Sequence, residues 1–293
     1  MNSMRRKMEI ASVKKSVLVL TFTVLVLRCC SNETTLKVGR RLNNEAKQLY
    51  ATDLGCVSRE HNLVYVHIPK TGGSTIESSP LFDDVRVYRK KGIRVRGIGG
   101  HHSVGLMMTD AEERGISHFQ TAAHIRHPCE RFISAFRYLT SDKCNDRDRA
   151  WSNKYIGDMT IDEFVEMAEK KKWKPFQEAH FRKQYPFVVD DGIFRVDHIL
   201  CQEQWDEGMS RLYMNLGLEH SQKKDEQRLK NPHETCAALK ESTRQSLERF
   251  YAMDYCLFDY PPLLGDEPSQ CIGSVFSKED FQARYDACKK LLE

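Results

Sequence analysis

A chain of 293 residues has room for one large domain with a targeting segment, or for two small domains. A hydrophobic share of 40% and ten cysteines are typical of a globular protein and exclude a disordered or repetitive one. The net charge is +4, but residues 1–30 carry six basic residues and one acid, so the rest is nearly neutral. That balance argues against general nucleic-acid binding, which needs a strongly basic domain.

The N-terminal segment has the pattern of a targeting signal. Residues 1–15 are basic, and residues 16–27 are an uninterrupted run of apolar or hydroxyl side chains. This run is shorter than the roughly 20 residues of a bilayer-spanning helix, so a cleaved signal peptide and a type II signal-anchor both stay open. The basic flank predicts a cytosolic N-terminus with the remainder in the lumen. We expect a tail and anchor over residues 1–30, then a polar lumenal stem over residues 31–55 that begins with a glycosylation sequon at Asn32.

The cysteines indicate disulfides and not a metal site. Once Cys29 and Cys30 in the targeting segment are set aside, eight cysteines remain, and eight allow 105 pairings. A lumenal chain would oxidise them. None of the eight forms a C-x-x-C pair, so we expect no zinc site and no other metal. Cys129 and Cys144 bracket one predicted helix and are a candidate local pair.

The first motif is His67-Ile-Pro-Lys70-Thr71-Gly72-Gly73-Ser74-Thr75. The β-branched run before it predicts a buried strand that ends at the proline. The glycines let the backbone amides of the next turn approach a ligand, and Ser74 or Thr75 can open a helix. Together with Lys70 these features predict a phosphate cradle. A Walker loop has its lysine after the glycines, so a P-loop nucleotide kinase is the disfavoured alternative.

A basic segment and a histidine pair come next. Six basic residues between Arg86 and Arg96 form either a solvated loop or a contact for an anionic glycan. Gly99-Gly100-His101-His102-Ser103 then precedes an apolar-periodic helix. Histidine is the side chain best suited to take a hydroxyl proton near neutral pH, so His101 and His102 are both candidate bases.

A second strand-to-helix junction follows. Residues 119–125 predict a buried strand, and the helix after it starts near Pro128. Arg126 at the strand end and Ser134 in the helix can converge on one anion, because arginine offers a two-pronged donor and serine a hydroxyl. Arg131 is expected to be structural.

These motifs resemble the Golgi carbohydrate sulfotransferases, especially the heparan and dermatan 2-O-sulfotransferase branch. The resemblance implies that Lys70–Thr75 holds the 5′-phosphosulfate of 3′-phosphoadenosine 5′-phosphosulfate (PAPS) and that Arg126 and Ser134 bind its 3′-phosphate. A Gly-His-x-Ser pattern implies His101 as the base, with His102 in reserve. It also implies a Golgi membrane location and an anionic polysaccharide, such as a glycosaminoglycan, as acceptor.

The C-terminal half adds elements of the domain. We predict helices over residues 161–170, 203–216 and 235–255, a strand over residues 196–200 and a final helix before the C-terminus. For His180, Arg182 and Lys183 we expect a surface role, with acceptor contact as the alternative. By resemblance, the polar turn at residues 228–233 closes over the nucleotide.

We therefore predict an α/β catalytic domain over residues 56–293, with a central parallel sheet flanked by helices in a P-loop-like sulfotransferase fold. The predicted reaction is sulfuryl transfer from PAPS to a glycan hydroxyl. Lys70 would neutralise charge on the leaving oxygen, and a histidine would take the acceptor proton. A non-catalytic glycan- or nucleotide-binding protein and a protein-tyrosine sulfotransferase are the remaining alternatives.

Overall fold

The computed structural model describes residues 57–82, 101–113, 115–219, 235–261, 271 and 276–293. All of them belong to one compact unit, Asp53–Glu293. The predictions for the targeting segment and stem, the basic segment, Gly99, Gly100 and the turn at residues 228–233 lie outside the described residues. Among the helices that are described, none combines the length and the apolarity needed to span a membrane.

A mixed four-stranded sheet forms the centre of the domain. Its strands stand in the order β1-β2-β3-β6, and a separate two-stranded ribbon pairs β4 with β5. The strands are β1 (Val57–Ser58), β2 (Leu63–Val66), β3 (Gln120–Ile125), β4 (Val189–Asp190), β5 (Ile193–Phe194) and β6 (His198–Cys201). Strands β2, β3 and β6 are parallel, with Val66 opposite Ala123 and Ile125 opposite Cys201, while β1 is antiparallel to β2.

Ten α-helices and several short 3₁₀ turns are described around these strands. The helices are α1 (Gly73–Glu77), α2 (Val104–Glu113), α3 (Pro128–Thr140), α4 (Asp146–Tyr155), α5 (Ile161–Lys170), α6 (Tyr185–Val188), α7 (Trp205–Asn215), α8 (Glu241–Phe250), α9 (Ala252–Phe258) and α10 (Lys278–Leu292). Every residue of β2 is buried, as is all of β3 after Gln120, because helices cover the parallel strands. The α/β prediction is confirmed.

The predicted strands and short helices occur where the sequence pattern indicates them, but the long helix predicted in the C-terminal half is interrupted. Residues 161–170 form α5, which starts with a capping box between Thr160 and Glu163. The helix predicted over residues 235–255 is wrong as a single element. A 3₁₀ turn at Cys236–Ala238 is followed by extended backbone at Leu239, and α8 and α9 are separated at Tyr251. The Tyr251 side chain is buried and donates a hydrogen bond of 2.6 Å to the Phe181 carbonyl.

The predicted disulfide between Cys129 and Cys144 is wrong. Cys129 pairs with Cys236 across 107 residues, and Cys144 is a buried free thiol. Within the described residues two further bridges join Cys201 to Cys271 and Cys256 to Cys288. The long-range pairing arises because Cys129, in the first turn of α3, lies beside the 3₁₀ turn that carries Cys236. That turn is also held by a hydrogen bond of 3.2 Å from the Cys236 amide to Glu130.

Candidate active site

The loop after β2 is built for a close approach of its backbone. Gly72 has a φ of 92°, and a Cβ on Gly73 would lie 2.2 Å from the His67 ring. Both positions therefore require glycine. The Thr75 amide donates to the Gly72 carbonyl at 2.9 Å, and the Thr71 hydroxyl donates to the Ile68 carbonyl at 2.9 Å. These two bonds close the turn from within.

Five consecutive amides of this loop are available for a ligand. Within the described part of the chain, the backbone N–H groups of residues 70–74 have no hydrogen-bond acceptor. Consecutive free amides in a tight turn form an anion-binding concavity. The backbone of this loop thus has the geometry of an anion cradle, apart from the Thr75 amide, which already serves the turn. That it binds a phosphate stays a prediction.

Lys70 lies in this loop with a positive φ of 68°. Its Nζ is 4.2 Å from the centre of the Tyr138 ring, an arrangement in which the ring face attracts the ammonium. Burial lowers the pKa of Lys70 to about 8, with Arg126 adding to the effect and Asp148 opposing it. A cation held beside another cation in a buried site is well suited to receive negative charge.

Arg126 follows β3 at the same edge of the sheet as Lys70, because β2 and β3 are parallel. Its NH1 group lies 3.5 Å from the Lys70 carbonyl, and its NH2 group lies 3.9 Å from the Glu130 carboxylate. Burial lowers the pKa of Arg126. Ser134 is half-buried on α3, and no hydrogen bond joins its hydroxyl to Arg126 among the described residues.

The backbone of Arg126 is fixed by distant parts of the chain. The side-chain amide of Gln184 accepts from the Arg126 backbone N–H at 3.0 Å and donates to the Arg126 carbonyl at 2.8 Å. The carboxylate of Asp254, buried on α9, accepts in turn from the backbone N–H of Gln184 at 2.7 Å. Two long-range contacts therefore set the direction of the Arg126 side chain.

Arg131 is fully buried and serves the backbone, as expected of a structural residue. It donates to the His180 carbonyl at 3.0 Å and to the Arg182 carbonyl, and its guanidinium lies 5.4 Å from the centre of the Tyr251 ring. These bonds attach α3 to the segment that runs from His180 to Arg182.

His101 lies directly before α2 and faces the loop. Its Nδ1 is 3.3 Å from the His67 carbonyl, and its ring packs edge-on against the His67 and His180 rings at 4.9 and 5.3 Å. Burial lowers the pKa of His101 to about 3, with His67 and His180 adding to the effect. A neutral His101 that donates from Nδ1 to this carbonyl keeps Nε2 as a free proton acceptor.

A cavity of about 550 Å³ opens beside the two histidines. Its walls are largely apolar and include the cations Arg182 and Lys183. It is lined by His101, His102, Ser103, Leu106, Phe176, Gln177, Arg182, Lys183, Pro186, Phe187 and Phe250. Leu106 is 59% exposed although it is a large apolar residue, and Lys183 Nζ lies 5.0 Å from the centre of the Phe250 ring. Such a mixture of aromatic wall and few polar groups is typical of a ligand site.

The comparison with protein families matches most of the domain that carries this site. The model described as "Sulfotransferase family" matches residues 55–261, more than two thirds of the chain. The chain belongs to the sulfotransferase family. Neither the comparison with curated proteins nor that with solved structures gives a match. Sulfuryl transfer is therefore the general chemistry of the family to which this chain belongs.

The structure of this sulfotransferase also includes residues that sequence reasoning missed. The surface role expected for His180 is wrong, since its side chain is buried against His101. Tyr138 and Asp148 were not identified, although the Tyr138 ring contacts Lys70. Tyr138 lies on α3 one turn after Ser134, and this position next to the Arg126 motif was the one available signal.

Proposed function

We propose that this sulfotransferase transfers the sulfuryl group from PAPS to a hydroxyl of a glycan. The observation that carries the proposal is the convergence of Lys70, Arg126 and His101 on the loop at residues 67–73. Arg126 contacts the Lys70 carbonyl and His101 contacts the His67 carbonyl. Two cations and a neutral histidine thus contact the same tight turn.

On the donor side, the free amides of Gly72, Gly73 and Ser74 hold the 5′-phosphate and the sulfuryl oxygens. The Arg126 fork, together with the Ser134 hydroxyl, binds the 3′-phosphate. The Lys70 ammonium neutralises the charge that develops on the bridging oxygen as the sulfur–oxygen bond breaks. The nucleotide leaves as adenosine 3′,5′-bisphosphate.

On the acceptor side, His101 Nε2 takes the proton of the attacking hydroxyl as the new oxygen–sulfur bond forms. A base with a pKa near 3 is weak in the empty site. The negative sulfuryl group of the donor favours the protonated imidazole, so binding of the donor increases the basicity of His101. His102 lines the same cavity and is the reserve candidate.

The cavity supports a glycan acceptor with acidic groups. The C–H face of a sugar ring packs on aromatic side chains such as Phe176 and Phe250, and Arg182 and Lys183 attract a carboxylate or an existing sulfate. A glycosaminoglycan-like polysaccharide has both features. The ring of a tyrosine substrate would pack against the same aromatic side chains, so a tyrosyl peptide is the alternative acceptor to test.

The test is transfer of radiolabelled sulfate from PAPS by the purified full chain to desulfated heparan, dermatan and chondroitin, with an acidic tyrosyl peptide in parallel. Label on a polysaccharide supports the proposal, and disaccharide analysis then identifies the hydroxyl. Label on the peptide alone would replace the glycan by a protein acceptor. Failure to bind adenosine 3′,5′-bisphosphate would refute the assigned roles of Lys70 and Arg126.

A Golgi membrane location with a lumenal catalytic domain is part of the same proposal, with secretion after signal cleavage as its alternative. The three disulfides described above support an oxidising compartment. Protease protection of the domain in sealed microsomes, lost on adding detergent, is the expected result. Recovery of the protein from the medium would indicate secretion instead.

A further inference from the structure

Behind Lys70 and His101 lies a second layer of side chains. The Tyr138 ring supports the Lys70 ammonium, and the His180 ring packs against His101 at 5.3 Å. Tyr138 and His180 also contact each other, with their ring centres 5.0 Å apart. One continuous line of rings therefore connects the side chain assigned to the leaving group with the one assigned to the acceptor.

Asp148, buried in the first turn of α4, joins the two rings. Its Oδ2 accepts from the Tyr138 hydroxyl at 2.9 Å and lies 4.0 Å from His180 Nε2. The same oxygen accepts from the Asn145 side chain at 2.8 Å. Asn145 also caps α4 by accepting the Asp148 amide N–H. Helix capping accounts for the contact with Asn145, but it does not account for the contacts with Tyr138 and His180.

His180 is held on its other side as well. Its Nδ1 lies 3.2 Å from the Glu178 carboxylate, whose pKa this hydrogen bond lowers. Its carbonyl accepts from the buried Arg131 at 3.0 Å. The residue is thereby held at Nδ1 and at the backbone, with Nε2 directed toward Asp148, and such fixation is what keeps a neighbouring catalytic group in one orientation.

Asp148, Glu178 and His180 also form a group of three potential metal ligands. Two observations argue against a cation there. Asp148 Oδ2 already accepts two hydrogen bonds, and the Lys70 ammonium lies on the Tyr138 ring that this oxygen holds. A divalent ion would compete with the former and repel the latter.

We propose that Tyr138, Asp148 and His180 form a positioning layer, which orients Lys70 for the leaving group and His101 for the acceptor. This inference rests on the proposed function, because it assigns the layer to that reaction. The three residues act through Lys70 and His101 and do not themselves contact the reacting atoms. In this layer the Tyr138 ring contacts the Lys70 ammonium, and Asp148 supplies a negative charge next to that ring.

The central variant is Asp148→Asn, which keeps the size of the side chain and removes its charge. The charged or titratable groups that face Lys70 are Arg126 after β3, Tyr138 on α3 and Asp148 on α4. Without the Asp148 charge the pKa of Lys70 should fall, so the midpoint of the alkaline limb in the pH profile of kcat/KM should shift to lower pH by about 0.5 to 1 unit. We expect kcat to fall about tenfold, while the Kd of adenosine 3′,5′-bisphosphate stays within about twofold.

The matched control is Asp146→Asn. Asp146 is exposed in the same first turn of α4, so this variant makes the same change of charge away from the rings. Asp146→Asn should leave both kcat and the alkaline limb of the kcat/KM profile unchanged. Tyr138→Phe keeps the ring under Lys70 and loses only the hydroxyl, so it should cost less than Tyr138→Leu.

A second readout does not depend on turnover. The rate at which acetic anhydride labels Lys70, followed by mass spectrometry across pH, reports the protonation of the amine directly. Asp148→Asn should lower the midpoint of this curve and Asp146→Asn should not. If folded Asp148→Asn shows neither a lower midpoint nor a lower kcat, the positioning layer is refuted.

The failures of the two proposals can be told apart. A lower labelling midpoint in a protein that sulfates no acceptor would refute the proposed function and leave the link between Asp148 and Lys70 intact. Activity that is lost in EDTA and restored by zinc in the wild type, but not in Asp148→Asn, would overturn the positioning layer in favour of a metal site.

Discussion

On the proposed donor side of the site (the loop at residues 70–75, Arg126 and Ser134), Lys70 and Arg126 follow the ends of parallel strands and Ser134 lies on the next helix, α3. The acceptor side (His101, His102, His180, Arg182 and Lys183) stands on segments outside the sheet. On the donor side each cation follows its strand by one to four residues. On the acceptor side, His101 precedes α2, and His180 lies in a short 3₁₀ turn tied down by Arg131.

This difference reflects what each side has to recognise. In the proposed reaction the phosphosulfate group is the same in every turnover, so a short local motif with fixed amides suffices for it. An acceptor is recognised by shape and by scattered charges, which several distant segments must supply together. Mutations on the two sides should therefore separate cleanly into effects on the donor and effects on the acceptor or base.

The largest effect is expected from His101→Ala. Loss of the proton acceptor should reduce kcat by about 10²- to 10⁴-fold, while adenosine 3′,5′-bisphosphate still binds. Calorimetric binding and steady-state assays on the same preparation measure the two quantities. His102→Ala is the matched control and should cost less than tenfold. A larger loss for His102→Ala than for His101→Ala would move the base to His102.

Lys70→Ala should rank next, with a fall in kcat of about 10²- to 10³-fold from loss of the charge at the leaving oxygen. Lys154→Ala is a suitable control, because Lys154 Nζ also lies over a ring, at 5.0 Å from the centre of Tyr155. Single-turnover rates with saturating PAPS isolate the chemical step. An unchanged single-turnover rate in Lys70→Ala would exclude Lys70 from bond breaking.

The donor side could be predicted because its signals are local. Strand β3 and helix α3 appear in the sequence as an apolar run, a proline and a helical period, and Arg126 falls between them. The glycines at 72 and 73 report a backbone geometry that few other residues adopt. Both motifs therefore specified that Lys70 and Arg126 would lie at the same edge of the sheet.

The acceptor side could not be predicted in the same way. His180 is 79 residues from His101 in the chain, and nothing in its own neighbourhood distinguishes it from a surface histidine. It is buried because Arg131, itself far away in sequence, holds its carbonyl. The disulfide from Cys129 to Cys236 is another pairing across a long distance, and a rule based on proximity selected Cys144 instead.

A smaller effect should follow from Arg126→Lys, which keeps the charge but loses the two-pronged geometry. The KM for PAPS should rise about tenfold, with kcat little changed. With adenosine 5′-phosphosulfate, which lacks the 3′-phosphate, wild type and variant should perform alike. Arg182→Lys is the counterpart on the acceptor side and should raise the KM for the acceptor alone. A difference that persists with adenosine 5′-phosphosulfate would mean that Arg126 does not bind the 3′-phosphate.

The smallest expected effect is the change of kcat/KM with pH near neutrality. Lys70 must be protonated to stabilise the leaving group, and its pKa is about 8. The kcat/KM for PAPS should therefore be nearly flat up to pH 7, be halved at about pH 8, and fall about tenfold for each further unit.

His101 must be neutral, and with a pKa of about 3 it stays neutral throughout the physiological range. The profile of kcat/KM, which reports groups of the free enzyme, should then have no acid limb above about pH 4. A limb near 6.5, the ordinary value for histidine, would contradict the buried state of His101 and with it the assignment of the base. The acid side of the profile thus tests the acceptor side of the site, and the alkaline side tests the donor side.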